Sequence, residues 1–126
     1  MMAEVKMKKI ANDGKIYYMS GPISATDDFE ERFERAEKRL NKMGIKTVNP
    51  VTLAKSLDER LGAKPFSLSY GAYMRNDVVA LSCLCDGVIM LPNWKKSRGS
   101  TLELSIAQAL GMEQLELSES GELTQL

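Results

Sequence analysis

Residues 77–103 read Asp77-VVALSCLCDGVIMLPNWKKSRGSTL-Glu103, and the order of patterns in this stretch decides the fold. It begins on a helical pattern, turns at Asp86-Gly87 and continues into a wholly apolar run at 88–91, which is typical of a parallel strand buried on both faces. A glycine-containing loop then leads into a second helix with Glu103 in its first turn. This order predicts a parallel α/β sheet with Glu103 at its carboxyl edge, where open sheets bind ligands.

Strand and helix patterns alternate on both sides of that stretch. We predict strands at residues 15–20, 45–48, 88–91 and 115–117, and helices at about 27–43, 53–61, 69–84 and 101–110. Asp27 and Glu30 have the spacing of a capping box at the start of the first helix. Strands separated by helices indicate right-handed βαβ units. The expected fold is therefore a flavodoxin/Rossmann-like three-layer sandwich with a four- to five-stranded parallel sheet in the order 2-1-3-4.

Length and composition indicate one soluble domain. The chain has 126 residues, of which 44% are hydrophobic and 27% charged, enough for a single core. We predict an N-terminal lead-in at 1–14, the domain at 15–117 and a polar tail at 118–126. The beginning lacks the apolar core of a signal peptide, and no apolar run reaches the length of a membrane span.

Charge and cysteine content exclude several classes of function. Basic and acidic residues balance at 17 each, so no overall field attracts nucleic acid or an anionic membrane, and we predict neither as a partner. The chain has no histidine, and Cys83 and Cys85 lie in an apolar segment, so we expect buried, reduced thiols in a cytoplasmic protein rather than a zinc site. Acid–base chemistry must then use carboxylates, Tyr, Ser, Cys or Lys.

Glu103 allows two interpretations. Ser100 lies three residues before it, so the pair fits a capping box in which Glu103 bonds back to the Ser100 amide. Alternatively, the same position presents the carboxylate to a ligand. The positive end of a helix stabilises an ionised carboxylate by about 0.3–1 kcal/mol, so we expect Glu103 to be charged at neutral pH.

Asp77 also allows two interpretations. It shares a helical stripe with Tyr70 and Tyr73, and a carboxylate on a largely apolar stripe is costly unless it is paired. It either forms a salt bridge, with Arg75 or with a basic residue across the fold, or it is desolvated in a site. A desolvated Asp77 would have a raised pKa suited to a proton donor.

The switch point between strands 1 and 3 brings residues 20–24 and 92–100 together with the last helix. Basic and hydroxyl side chains with backbone amides at a helix start form a phosphate cradle, although a solvated loop is the more common explanation of such a pattern. Trp94 either stacks on a base or covers the sheet edge. Tyr18 either points its hydroxyl at the site or lies in the core.

Three motifs, KIYYMSGP at 15–22, YMRND at 73–77 and SRGSTLELSIAQALG at 97–111, occur in one order along the chain. In these motifs the chain resembles the nucleoside 2-deoxyribosyltransferase-like superfamily from about residue 15 to 117. It looks closest to the short members of that group, and next to the relatives that hydrolyse nucleoside 5′-monophosphates. The resemblance implies a homodimer or a higher homo-oligomer and chemistry that needs no metal or organic cofactor.

The resemblance also implies roles for single residues. Glu103 matches the glutamate that attacks the anomeric carbon, Asp77 the aspartate that contacts the sugar or helps the base depart, and Tyr18 a tyrosine lining the site. Ser97 and Gly99 match positions that bind the 5′-phosphate. The complete set of predicted substrate-binding residues is Ser20, Gly21, Ile23, Trp94, Ser97, Arg98, Gly99 and Ser100.

Two departures bear on the expected activity. Ser97 stands where deoxyribosyltransferases carry an acid, which favours hydrolysis of a phosphorylated substrate over base exchange. Thr101 stands where the family usually has glycine. The sequence thus predicts an N-glycosidic bond hydrolase or transferase acting on a nucleoside or nucleoside 5′-monophosphate. The alternatives are a non-catalytic protein that binds a nucleotide derivative, and a structural domain in which Glu103 only caps its helix.

Overall fold

The computed structural model describes residues 14–23 and 27–126, so the predicted lead-in lies almost wholly outside the described residues. The described chain contains five strands and four α-helices, with a 3₁₀ turn at Trp94–Lys96 before the last helix. In chain order they are β1 (Ile16–Ser20), α1 (Phe29–Lys42), β2 (Lys46–Val48), α2 (Pro50–Leu61), α3 (Tyr70–Leu84), β3 (Gly87–Met90), α4 (Arg98–Ala109), β4 (Glu113–Leu117) and β5 (Leu123–Gln125).

The strands form one sheet in the order β2-β1-β3-β4-β5. The first four are parallel, with Tyr18 beside Val48 on one side and Val88 on the other. The predicted α/β fold and the order 2-1-3-4 are therefore confirmed. The prediction of a polar tail at 118–126 is wrong, because β5 pairs antiparallel with β4 and buries Leu123.

One apolar cluster lies on each face of the sheet, between the strands and the helices that pack on that face. On the α1 face, alternate β1 side chains Tyr17 and Met19 pack with Phe33 and Leu40 of α1. On the opposite face, Tyr18 packs with side chains of α3 and α4, including Leu81, Leu104 and Ala107. The period of two along β1 thus sends Tyr18 and Ser20 toward α3 and α4.

Three helices start elsewhere than the sequence predicts: α1, α4, and α2, which begins at Pro50 rather than at about residue 53. The Asp27–Glu30 capping box is wrong: α1 begins at Phe29 after Asp28, whose carboxylate accepts a hydrogen bond from Arg32 rather than from the helix backbone. The last helix starts at residue 98 because the Ser97 hydroxyl accepts from the Ser100 amide. That start is three residues earlier than predicted, so Glu103 lies in the second turn rather than the first.

Two further predictions concern the cysteines and the membrane. The cysteines are free, but Cys83 is exposed, so the prediction that both thiols are buried is wrong for it. Burial raises the pKa of the half-buried Cys85 thiol to about 11, and the nearby Asp86 carboxylate adds to the shift. Within the described ranges, no helix is both long enough and apolar enough to cross a membrane.

Candidate active site

A cavity of about 430 Å³ opens at the carboxyl edge of the sheet. Its volume lies within the range of small-molecule sites in proteins, about 300–1,000 Å³. The end of β1, the first turns of α2 and α3, and the start of α4 contribute to its wall. Predicted site residues that line it are Tyr18, Gly21, Ile23, Asp77, Ser97, Gly99, Ser100 and Glu103.

Glu103 is 5% exposed, and both of its carboxyl oxygens accept hydrogen bonds from β1. The Tyr18 hydroxyl donates to Oε2 at 2.7 Å, and the Ser20 hydroxyl donates to Oε1 at 2.6 Å. The capping-box interpretation is therefore wrong, because Ser97 supplies the cap and Glu103 reaches across to the sheet. The structure brings together the three predicted residues on two separate elements.

The pKa of Glu103 is raised to about 7. Burial is the largest cause, while the hydrogen bonds from Ser20 and Tyr18 oppose it. The expectation that Glu103 is charged at neutral pH is not met in full, because the stabilisation from the helix end is smaller than the cost of burying the charge. A helix terminus contributes about 0.3–1 kcal/mol, less than one pKa unit, and its effect falls off after the first turn.

Asp77 is buried on the α3 side of the same cavity. Its Oδ1 has no hydrogen-bond partner, and no Lys or Arg of the described ranges forms an ion pair with it, so the salt-bridge interpretation is wrong. Burial raises its pKa to about 8, and the nearby Glu103 charge adds to this, while the neighbouring Tyr18 hydroxyl opposes the shift. The desolvated acid that the sequence suggested is present.

Tyr18 lies between the two carboxyl groups. Burial, followed by the charges of Glu103 and Asp77, raises its pKa well above the usual value. The phenol therefore keeps its proton across the neutral range and acts as a hydrogen-bond donor. The two interpretations of Tyr18 both hold, because its ring is in the core and its hydroxyl reaches the cavity.

The start of α4 closes another side of the cavity. Ser100 is 1% exposed, and its hydroxyl has no partner in the described part of the chain. A Cβ on Gly99 would lie 2.9 Å from Cε of Met74 and 3.4 Å from the Tyr70 hydroxyl, so glycine lets the helix start approach α3. A free hydroxyl at a helix N-terminus is suited to an anionic group of a ligand.

The remaining predicted substrate-binding residues lie elsewhere. Trp94 donates from its indole nitrogen to Glu116 Oε2 at 2.7 Å and packs on the core, so it covers the sheet rather than lining the cavity. The Arg98 guanidinium lies over the Tyr70 ring, 5.6 Å from its centre, beside the cavity. Thr101 is exposed and bonds the Arg98 carbonyl, so its departure from the family pattern does not face the cavity.

Sequence reasoning missed the apolar and aromatic wall. Asn49-Pro50 marked the end of a strand in the prediction, whereas it starts α2: the Asn49 side chain accepts from the Val51 amide, and proline occupies the first turn. The loop before α3 gave no pattern at all. The missed lining residues are Asp27, Phe29, Pro50, Val51, Ala54, Phe66, Leu68, Tyr70, Tyr73 and Met74.

A partly buried hydrogen-bond cluster around Asp58 holds the loop of that wall. The Tyr73 hydroxyl donates to Asp58 Oδ1 at 2.6 Å and accepts from the Leu68 amide at 3.0 Å. Asp58 Oδ2 accepts from the amide of Phe66, a non-glycine residue with φ of 55°. The Phe66 ring then meets Phe29 edge to face at 5.2 Å. Asp58 thus fixes a strained loop against the cavity.

The site as a whole is an open cavity that contains two desolvated carboxyl groups and the start of a helix. Among the described residues, no three Asp, Glu or Cys side chains are grouped as metal ligands.

The chain belongs to the family described as Domain of unknown function (DUF4406), which matches residues 15–115. That span contains every predicted catalytic and substrate-binding residue. No curated protein matches the chain significantly.

Proposed function

We propose that this protein is an N-glycosidic bond hydrolase or transferase that acts on a nucleoside or a nucleoside 5′-monophosphate. The observation that carries the proposal is the arrangement of Glu103, held by Tyr18 and Ser20 at a cavity that also contains the unpartnered Asp77. Two carboxyl groups with different pKa values, about 7 and about 8, can take the roles of nucleophile and acid.

Glu103 is the proposed nucleophile. Its two hydrogen bonds from β1 orient the carboxylate and stabilise its charge, so the group stays in one position while it reacts. A pKa of about 7 leaves a large fraction of the carboxylate ionised at neutral pH. Asp77, with the higher pKa, still carries its proton under the same conditions and is the proposed acid.

The proposed reaction has two steps, as in retaining glycosidases. Glu103 attacks C1′ of the sugar and forms an ester bond while the bond from C1′ to the base nitrogen breaks. The bonding electron pair leaves with the base, which takes the proton of Asp77. Water then attacks C1′, the ester electrons return to Glu103, and the proton of the water passes to Asp77. A second base in place of water gives transfer.

The start of α4 is the proposed phosphate subsite. Ser100 offers a buried hydroxyl without a partner, and Ser97 and Gly99 line the same part of the cavity. These groups suit the 5′-phosphate of a monophosphate, since the helix start adds backbone donors and a positive dipole end. This favours a phosphorylated substrate over a free nucleoside, and hydrolysis over base exchange.

The proposal includes a homodimer or higher homo-oligomer in the cytoplasm. Exposed apolar side chains on α3 and α4 support association: Val79 is 58% exposed, Leu84 62%, Leu102 43%, and Leu110, just after α4, 55%. Free Cys83 and Cys85 support a reducing compartment. The proposed partners are small molecules, not nucleic acid or a membrane.

The test is release of free base from a panel of nucleosides and 5′-monophosphates, followed by chromatography. Glu103→Gln keeps the size of the side chain and should lower the rate by about 10³-fold or more, since it removes the nucleophile. Asp77→Asn should lower it by about 10²–10⁴-fold, the usual contribution of a general acid. Glu122→Gln, on an exposed residue, is the matched control. No release by the native protein, or equal release by Glu103→Gln, contradicts the proposal.

The second candidate is a non-catalytic protein that binds a nucleotide derivative in the same cavity. The observation that favours it is the raised pKa of Glu103, because a protonated carboxyl group is not a nucleophile. Calorimetry separates the two candidates. A monophosphate that binds tightly without losing its base, and binds Glu103→Gln equally well, supports the binding protein.

A further inference from the structure

A second cavity, of about 380 Å³, lies on the α1 face of the sheet. Its walls are α1, the segment that follows β3, and the turn between β4 and β5. The second and third of these segments follow the carboxyl ends of β3 and β4. The second cavity therefore lies at the same ligand-binding edge of the sheet as the candidate active site. We call it the arginine groove, and its main polar lining is Arg32, Arg35, Arg39, Asn93, Ser118 and Ser120. None of its lining residues lines the candidate active site.

The three arginines occupy one stripe of α1, at steps of three and four residues. Arg32 is engaged, with Nε 3.0 Å from Asp28 Oδ1 and a terminal nitrogen 3.1 Å from the Pro22 carbonyl. Arg35 forms no hydrogen bond or ion pair within the described part of the chain. Glu119 is the one carboxylate among the lining residues that the structure describes. The groove is therefore locally positive in a chain with a net charge of zero.

The Arg39 side chain is held in position by the turn after β4. Its Nε donates to the Gly121 carbonyl at 3.3 Å, which leaves the two terminal nitrogens as donors. Gly121 has φ of +90°, and a Cβ there would lie 2.5 Å from Cζ of Arg39. The guanidinium thus packs against Gly121, and any side chain at position 121 would displace the guanidinium. Arg39 is exposed, and this contact orients its guanidinium, so that it loses less freedom when it binds an oxyanion than an arginine without such a contact.

We propose that the arginine groove binds a small molecule that carries a phosphate or carboxylate group. Arg35 and Arg39 lie about one helical turn apart, and their planar forks match the oxygens of either group. The lining also includes the apolar residues Ala36, Leu91 and Leu117, which suit the uncharged part of such a ligand. This site is separate from the proposed glycosidase activity and does not depend on it.

The experiment is an NMR titration that follows the side-chain Nε–Hε signals of the six arginines in the native chain. The probes are inorganic phosphate, pyrophosphate and succinate, each added at constant ionic strength. Saturable shifts of the Arg35 and Arg39 signals, with an unmoved Arg60 signal, support the site. The relative affinities of the phosphates and succinate identify which oxyanion is preferred. Shifts that do not saturate, or equal shifts at Arg60, mean an ordinary solvated arginine face and overturn the proposal.

Substitution separates the groove from general charge effects. Arg35→Met retains the length of the stem, breaks no hydrogen bond or ion pair among the described residues, and should weaken binding of the preferred probe by about tenfold. Arg39→Met should weaken it at least as much, with circular dichroism used to check that the β4–β5 turn is intact. Arg60→Met, at an exposed position on α2, removes the same charge and should leave affinity within about twofold. Equal weakening by all three variants contradicts the proposal.

Discussion

At the scale of single residues, the balance between burial and helix dipole decides the chemistry of Glu103. The sequence suggested ionisation, because a helix start favours negative charge. In the structure the group is 5% exposed, and burial raises its pKa to about 7 despite two donated hydrogen bonds. Asp77, with no partner on Oδ1, is raised further, to about 8. Both carboxyl groups therefore titrate in the neutral range, which is what the proposed roles of nucleophile and acid require.

The raised pKa values predict how stability depends on pH. In the unfolded chain Asp77 releases its proton near its usual pKa of 3.8, whereas the folded chain keeps it up to about pH 8. Between these values the folded state binds more protons, so the free energy of unfolding falls as pH rises. From Asp77 alone we expect a loss on the order of 4 kcal/mol between pH 5 and pH 8 for the native protein, since each pH unit over which the folded state holds one more proton costs about 1.4 kcal/mol. Glu103 contributes in the same direction, from 4.5 to about 7.

Urea unfolding at both pH values, at fixed ionic strength, measures this loss. Asp77→Asn cannot ionise and should reduce the loss to the part that Glu103 contributes, while Glu122→Gln, at an exposed position, should leave the loss unchanged. A native protein whose stability is constant or rises from pH 5 to pH 8 would show that these carboxyl groups are not desolvated.

At the scale of elements, the hydrogen-bond cluster between α2 and α3 determines the shape of the cavity. Tyr73→Phe removes one hydroxyl and leaves both Asp58 Oδ1 and the Leu68 amide without a partner. We expect this to lower the free energy of unfolding by about 1–3 kcal/mol, because two hydrogen bonds are lost and each contributes about 0.5–1.5 kcal/mol. Tyr70→Phe is the control, because Tyr70 is 52% exposed and lines the same cavity.

Urea unfolding compares the two variants. Tyr70→Phe should change stability by no more than about 0.5 kcal/mol. If both substitutions cost the same, the cluster does not hold the loop, and the aromatic wall has another support.

Elements with strong periodicity could be predicted from the sequence, and those defined by single side-chain bonds could not. The apolar run at 88–91 and the helix after Ser69 correspond to β3 and α3 within a residue or so. The starts of α1 and α4 depend on which of several neighbouring polar residues is the N-cap. In α4 the N-cap is Ser97 rather than Ser100. Glu103 was predicted as a site residue because strand order brings its helix to the switch point of the sheet. Asp77 and Tyr18 each had two interpretations from the sequence pattern, and the resemblance placed them in the site.

No sequence pattern predicted the part of the cavity wall around Phe66. Its backbone has a positive φ, unusual for a bulky residue, and it is held there by Asp58, eight residues earlier. Such a contact depends on how α2 packs against α3, which local pattern does not encode. Trp94 illustrates the opposite error, because a large exposed-looking aromatic in a loop suggested a ligand, whereas Glu116 of β4 binds it.

At the scale of the whole molecule, the carboxyl edge of one parallel sheet supports two cavities on opposite faces. Period-two alternation sends Tyr18 and Ser20 to one face and leaves Tyr17 and Met19 to the core beneath α1. The candidate active site and the arginine groove are therefore lined by different residues, although both lie at the same edge of the sheet. The C-terminal hairpin belongs to the second cavity, since its turn carries Gly121 against Arg39.

The tail at 118–126 therefore has a structural role that its composition conceals. β5 covers the edge of β4, pairs Leu123 with Leu117, and leaves Leu123 only 5% exposed in the core beneath α1. Leu123→Ala should lower the free energy of unfolding by about 2–4 kcal/mol, because it removes buried methyl groups and leaves a cavity. Leu126→Ala is the matched control: Leu126 is 47% exposed, and its loss should cost less than about 0.5 kcal/mol. Urea unfolding of both variants decides between a folded edge strand and a mobile polar tail, for which the two substitutions would have equally small effects.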